Sequence, residues 1–232
     1  TMNIKHNGNT VKSYTIWRGA SYFGYPTGEG SPYYTAIKKG GRWWAPVNCG
    51  ATRVAQAGDG WNAIVAGAGN MYQWGRQDYT NHGSSTASSP TSNSKPNNHI
   101  FYKAPNHPGD WLTSQNNSLW NGSRKGTNDP CPQGYRVPTI DELKSIGNAN
   151  SWENGLFKVN ADSGYPQLIL PAAGGISNQE ATSNSQGTQC NCWSSSVPSG
   201  STDASYIFAT DATLKQGAWP RASGLSIRCI RE

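Results

Sequence analysis

The sequence predicts an α+β domain of short strands and long loops with one or two helices. Three observations carry that expectation. Gly and Pro supply 27 and 14 of 232 residues, where ordinary domains hold about one such residue in eight, so long helices have few places to form. Charged residues make up only 14% of the chain and the apolar share is 34%, which excludes coiled coils, helical bundles and membrane insertion. The 10 Trp, 11 Tyr and 4 Phe exclude disorder, because disordered chains are poor in aromatics. Large rings can fill a core in which Leu, Ile and Val are scarce.

The elements follow in order. Residues 10–17 (Thr-Val-Lys-Ser-Tyr-Thr-Ile-Trp) alternate as a half-buried strand and pass into a Gly/Pro/Tyr loop from Gly19 to Tyr34. Residues 1–39 are therefore expected to be a strand-and-loop extension packed on the main domain, residues 40–232. Gly40-Gly41 opens a second strand from Arg42 to Val47. An Ala-rich, Gly-punctuated stretch over 51–76 ends in Tyr72-Gln73-Trp74-Gly75-Arg76. From Asp78 to Pro108 the chain is mostly Ser, Thr, Asn and Pro, either a long exposed loop or a flexible insertion.

The clearest helix begins after Pro138. Thr139 can cap the Glu142 amide while Glu142 reaches back, the reciprocal capping box. Asp141 and Glu142 offset the N-terminal dipole there. Leu143 and Ile146 share a side, and Gly147 supplies the left-handed stop. Downstream, the apolar run Leu168 to Ala173 breaks at Gly174-Gly175, and Trp193 to Ser196, Ser205 to Ala209 and Leu225 to Ile230 read as three further strands.

The formal charge is +6, but the basic residues are scattered. The densest groups, Lys38, Lys39 and Arg42, then Arg124 and Lys125, make no stripe that would track a phosphate backbone, so no nucleic-acid partner is expected. The start of the chain, Thr1 to His6, has no apolar core of a signal peptide. An export signal, anchor or pilin module is expected outside this chain. The five cysteines form no C-x2-C pair and have no His at ligand spacing, which leaves one or two disulfides and an odd thiol in an oxidising compartment. Neither His6, His82, His99 and His107 nor Ser194, Ser195 and Ser196 stand in a catalytic spacing. No cofactor, metal or catalytic residue is expected.

Several blocks then acquire a common meaning. Asn128-Asp129-Pro130-Cys131-Pro132-Gln133-Gly134-Tyr135-Arg136-Val137-Pro138-Thr139, followed by Trp193-Ser194-Ser195-Ser196 and by Gly224-Leu225-Ser226-Ile227-Arg228-Cys229-Ile230, resembles the Fibrobacter major paralogous domain (FISUMP) family. Trp43 to Asn48, Tyr72 to Arg76, Leu119-Trp120 and Leu168 to Gly174 agree with it, so the resemblance spans residue 40 to the C-terminus. It implies a C-type-lectin-like fold in a module displayed on a bacterial surface or pilus tip, as in Bacteroidetes. It also implies a disulfide between Cys131 and Cys229, the two cysteines at family positions, with two buried thiols as the alternative.

Cys49, Cys190 and Cys192 depart from the family pattern. Cys49 fits a small buried thiol. Cys190 and Cys192 would share one strand face, either as a strained, exposed disulfide or as two free thiols. The lectin-like fold also hosts formylglycine-generating oxidases, but their flanking pattern is absent here, as are the calcium triplets of animal lectins. The remaining implication is non-catalytic, adhesin-like recognition of a protein or glycan on another cell, phage or host surface. The face expected to do this is built by residues 178–192 and 212–223, with Asn178, Gln179, Gln189, Asn191, Lys215, Gln216, Trp219, Arg221 and Ser223 as contacts and Trp219 beside Arg221 as the hot spot. Some relatives are variable proteins of diversity-generating retroelements, and Cys190-Asn191-Cys192 resembles a diversified site. A structural, pilin-like module is the alternative reading.

Overall fold

Two-residue turns and short alternating segments build most of the molecule. The structure, a computed structural model, describes residues 2–6, 9–14, 36–55, 67–81 and 83–232. Strands β1 (Met2–His6) and β2 (Asn9–Tyr14) pair antiparallel as a separate two-stranded sheet. The expected continuation to Trp17, the loop from Gly19 to Tyr34 and the placement of the 1–39 extension on the domain lie outside the described residues.

From residue 36 onward the chain is mostly β-strands in small sheets with a single short helix whose full length is described, α1 (Ile140–Lys144). Strands β3 (Ile37–Lys39) and β4 (Arg42–Trp44) form a hairpin closed by Gly40 and Gly41, at φ +60° and +74°. A two-residue turn with both residues left-handed suits glycine. The strand from Arg42 is shorter than expected and ends before Pro46, which lacks the N–H needed to continue a ladder. Strand β8 (Tyr135–Arg136) and the last strand, β18 (Ile230–Arg231), complete this sheet in the order β3-β4-β18-β8.

The 78–108 segment is organised by its own short elements. Strand β5 (Tyr72–Gln73) precedes it, and β6 (Thr86–Ala87) and β7 (Phe101–Tyr102) lie along it, with β6 parallel to β7. An unanticipated hairpin joins β9 (Ser151–Glu153) to β10 (Leu156–Val159) through Asn154-Gly155, both left-handed, and β11 (Leu168–Pro171) adds a third strand. Strands β12 (Gly175–Ile176), β13 (Ser183–Asn184) and β17 (Gly224–Leu225) join β5 in the order β13-β12-β17-β5. The last sheet is β14 (Cys190–Trp193), β15 (Ala204–Ala209) and β16 (Lys215–Trp219), in that order.

Two expected strands are corrected. The segment around Trp193 is a strand over Cys190–Trp193, not Trp193 to Ser196, because Ser194, Ser195 and Ser196 turn their hydroxyls onto backbone groups of Ser205, Pro138 and Ile140. Leu225 to Ile230 is not one strand: β17 and β18 belong to different sheets, and Arg228 between them is buried and bonded to Asn48, Ala45 and Ile169.

Helix α1 starts as its residues dictate. Thr139 Oγ1 accepts from the Glu142 amide at 3.3 Å and Glu142 Oε2 accepts from the Thr139 amide at 2.8 Å. Leu143 and Ile146 are buried, and Gly147 turns at φ +74°. Glu142 has a second role: Arg136 grips it with two bonds of 2.7 Å. The preceding corner is fixed by Asp129, which accepts from the Cys131 and Val137 amides at 2.8 Å. A disulfide joins Cys131 to Cys229 across 98 residues of sequence, a closure worth about 4 kcal/mol on loop entropy.

Tryptophans serve as core and as fasteners. Trp44, Trp74, Trp111, Trp120 and Trp193 are fully buried, and each indole N–H donates to a backbone carbonyl, of Lys39, Ser194, Trp74, Asn128 and Tyr72 in turn. One cluster holds Trp74, Trp111, Trp120, Trp193 and Leu225. A second, with Trp44, Leu143, Phe157 and Ile207, joins α1 to β10, β11, β14 and β15.

Candidate functional site

Strand register decides which residues of β14, β15 and β16 share a side. Asn191 pairs with Phe208 and Trp193 with Tyr206, while Phe208 pairs with Lys215, Tyr206 with Gly217 and Ala204 with Trp219. Directly paired residues lie on one face, so Asn191, Trp193, Tyr206, Phe208, Lys215 and Trp219 belong together. Cys190, Cys192, Ile207 and Ala209 take the opposite face and enter the second core cluster.

The first face carries a row of rings. Tyr206 lies 5.5 Å from Phe208 and 5.8 Å from Trp219 between centroids, inclined by 27° and 33°, and meets Trp193 edge-on at 6.0 Å. Trp193 is buried, whereas Tyr206, Phe208 and Trp219 are half-buried. Two glycines let the rings lie low. A Cβ on Gly217 would sit 2.7 Å from Tyr206 Cε1, and one on Gly175 would sit 3.0 Å from Trp219 Cζ3. Glycine on an edge strand covered by a cross-strand aromatic is a known way to keep register there. Burial pushes the Tyr206 phenol above its ordinary value, so its hydroxyl stays neutral.

Polar groups border the row. Lys215 and Gln216 are exposed on β16, the sheet's outer strand. Asn191 is 2% exposed, and its Oδ1 is buried without a hydrogen-bond partner. Gln189, just before β14, is half-buried and its carbonyl accepts from the Gly174 amide at 2.9 Å. Beyond the sheet edge, a groove of about 280 Å³ is lined by Lys144, Gly147, Asn148, Leu214, Lys215 and Gln216.

Of the residues expected to make contacts, Gln189, Lys215 and Trp219 border or form this face, and Gln216 falls on the groove side. Five others do not join it as surface contacts. Asn191 points to this side but is buried beneath it. Asn178 is buried and clasps Ala104, donating from Nδ2 at 2.7 Å and accepting the Ala104 amide at 2.8 Å. Gln179 is exposed on the adjoining turn. Ser223 is fully buried. Arg221 is 1% exposed, so the expected surface pair with Trp219 is corrected. Its guanidinium lies 4.8 Å over the Trp74 ring, donates to Asn117 at 2.6 Å and stands 3.8 Å from Asp110. These partners lie more than a hundred residues upstream, and no local pattern around Trp219 points to them.

Tyr206 and Phe208, expected only as part of a strand, form the row's centre and one end. The alternation Ser205-Tyr206-Ile207-Phe208-Ala209 carried the signal: Ile207 and Ala209 turn inward and the two rings outward.

Cys49, Cys190 and Cys192 are free and buried. Burial pushes Cys49 and Cys192 up to about 11 and Cys190 well above its usual value, so all three stay protonated and closed to solvent. Among the described residues no group of three His, Cys, Asp or Glu side chains could hold a metal ion, and no helix is long and apolar enough to cross a membrane.

No protein-family model matches the chain, and searches of curated proteins and of solved structures returned no match.

Proposed function

We propose that this chain is a non-catalytic, adhesin-like module of an extracellular surface, built on a C-type-lectin-like fold of the FISUMP kind, that binds a protein or glycan ligand carried by another cell, phage or host surface. The observation that carries this reading is the half-buried ring row of Tyr206, Phe208 and Trp219, with exposed Lys215 beside it. Aromatic rings with adaptable neutral and polar neighbours are what recognition surfaces use. Rewriting of the C-terminal segment by a retroelement belongs to the same reading. A reverse transcriptase and a near-identical template repeat beside the gene are expected, and a flank without them removes that part.

The test is capture from protein and glycan arrays by the purified chain. Gln189→Ala, Lys215→Glu and Phe208→Ser together should abolish capture while the melting temperature stays within a few degrees of the parent. Unchanged capture overturns the assignment of this face.

A structural, pilin-like subunit is the second reading, favoured by one observation. Strand β16 is an outer strand with a mostly exposed side, and such an edge can pair with another chain. Concentration-dependent filaments that a Gln216→Pro exchange dissolves would support it over ligand capture.

A further inference from the structure

The ring row and the groove beside it differ in chemistry, and Lys215 links them. Lys215 pairs across from Phe208 at one end of the row and also lines the groove, together with Lys144. No carboxylate lines the groove. Two neighbouring acids are already engaged: Asp211 accepts from the Thr213 amide at 2.6 Å, and Asp141 forms a surface pair with Lys144 at 3.3 Å, of a kind that contributes little. The row itself carries no charge.

We propose that the occupant of this face is an acidic saccharide, an inference that rests on the ligand-binding reading above. The apolar C–H side of a sugar ring lies flat on the low rings of Phe208, Tyr206 and Trp219, and its carboxylate or sulfate meets the Lys215 ammonium at the Phe208 end of the row. The Tyr206 hydroxyl remains to meet sugar hydroxyls.

Size favours a saccharide over a protein. Stable protein interfaces bury about 800 Å² on each side around a dry apolar centre. Here the apolar surface is a single ribbon three rings long, and among the described residues Tyr79 is the only large apolar side chain that counts as exposed. A ribbon of that length fits a disaccharide. The charge is complementary as well: the exposed Lys215 ammonium at the end of an uncharged ring row favours an anion, and the attraction weakens as salt screens it.

The experiment titrates the purified chain with tetrasaccharides bearing uronate, sialate or sulfate and with their neutral hexose and N-acetylhexosamine counterparts, read by calorimetry and tryptophan fluorescence. At least one acidic member is expected to bind, its neutral counterpart about tenfold more weakly or worse, with affinity falling as salt rises. Lys215→Glu should weaken it about tenfold and Phe208→Ser by a similar factor, with melting temperatures within a few degrees of the parent. Equal binding of neutral and acidic members, or no effect of Lys215→Glu, overturns the proposal. If every saccharide is silent while a protein partner is captured in a manner dependent on Lys215 and Phe208, the saccharide falls and the ligand-binding reading stands. Silence on both arrays removes both.

Discussion

Arg76 and Arg221 are both buried beneath tryptophans, yet they are kept there in opposite ways. Arg76 spends every N–H: two on Asp78, two on Gln73 and the Ile100 carbonyl at 2.7 and 2.6 Å, and the last reaching Asn98. Arg221 makes one close bond, to Asn117, and its Nε and Nη1 are buried without hydrogen-bond partners. Their acids respond accordingly. Burial pushes Asp78 up, but the Arg76 bonds and charge and the Asn98 and His99 amides outweigh it and hold the carboxyl below its usual range. At Asp110 burial wins over the Leu112 amide and the charge of Arg221, and the carboxyl rises. A buried charge strengthens a fold when its bonds are complete, and burial alone does not.

The largest effect should follow loss of the complete clasp. Arg76→Met leaves Asp78 buried without its cation and should lower unfolding stability by about 3 to 5 kcal/mol in urea titrations. A smaller loss than that of Arg221→Met would reverse the comparison. Next comes Asp78→Asn, at about 2 kcal/mol. Because the folded carboxyl of Asp78 lies below its unfolded value of about 3.9, its contribution is present above that pH and lost as pH falls through the folded value. The variant should therefore lose part of the acid limb of the stability profile.

Asp110 has the opposite sign. Its folded value is raised, so the parent loses stability as pH rises from about 4 through that value, and Asp110→Asn should gain about 1 kcal/mol over the parent at neutral pH. A variant profile parallel to the parent's would remove Asp110 as the cause, leaving Asp129, which burial also raises. The smallest change is expected for Arg221→Met, within about 1 kcal/mol of the parent in either direction, since an apolar chain of similar length replaces an incompletely bonded charge.

The same contrast explains what could be read from the residues. Local chemistry was legible: the capping box at Thr139 and Glu142, the left-handed Gly147 and the alternation over Ser205 to Ala209 all appear in the structure. Asn154-Gly155 between Trp152-Glu153 and Leu156-Phe157 is an equally local hairpin signal. Long-range partners were not legible. Arg221 beside Trp219 reads as surface until Asn117 and Asp110 close over it, and Glu142 reads as a cap until Arg136 and Arg42 reach it. At the site, alternation places Gln189, Asn191, Lys215 and Trp219 near one face, but the choice of β15 as the strand between them depends on pairing that no local pattern specifies.

The bare backbones of Gly175 and Gly217 fix how high the rings of Trp219 and Tyr206 stand above the strands. Lys215, Gln216 and Ala218 on the same outer strand are exposed, and no packing holds their identity. Of these, Lys215 alone shares the side of the rings, so a lineage or an engineer seeking a new specificity has one freely exchangeable position beside the row and two on the strand's other side. The two glycines cannot be exchanged, because any side chain there would lift the rings and change the shape that Lys215 decorates.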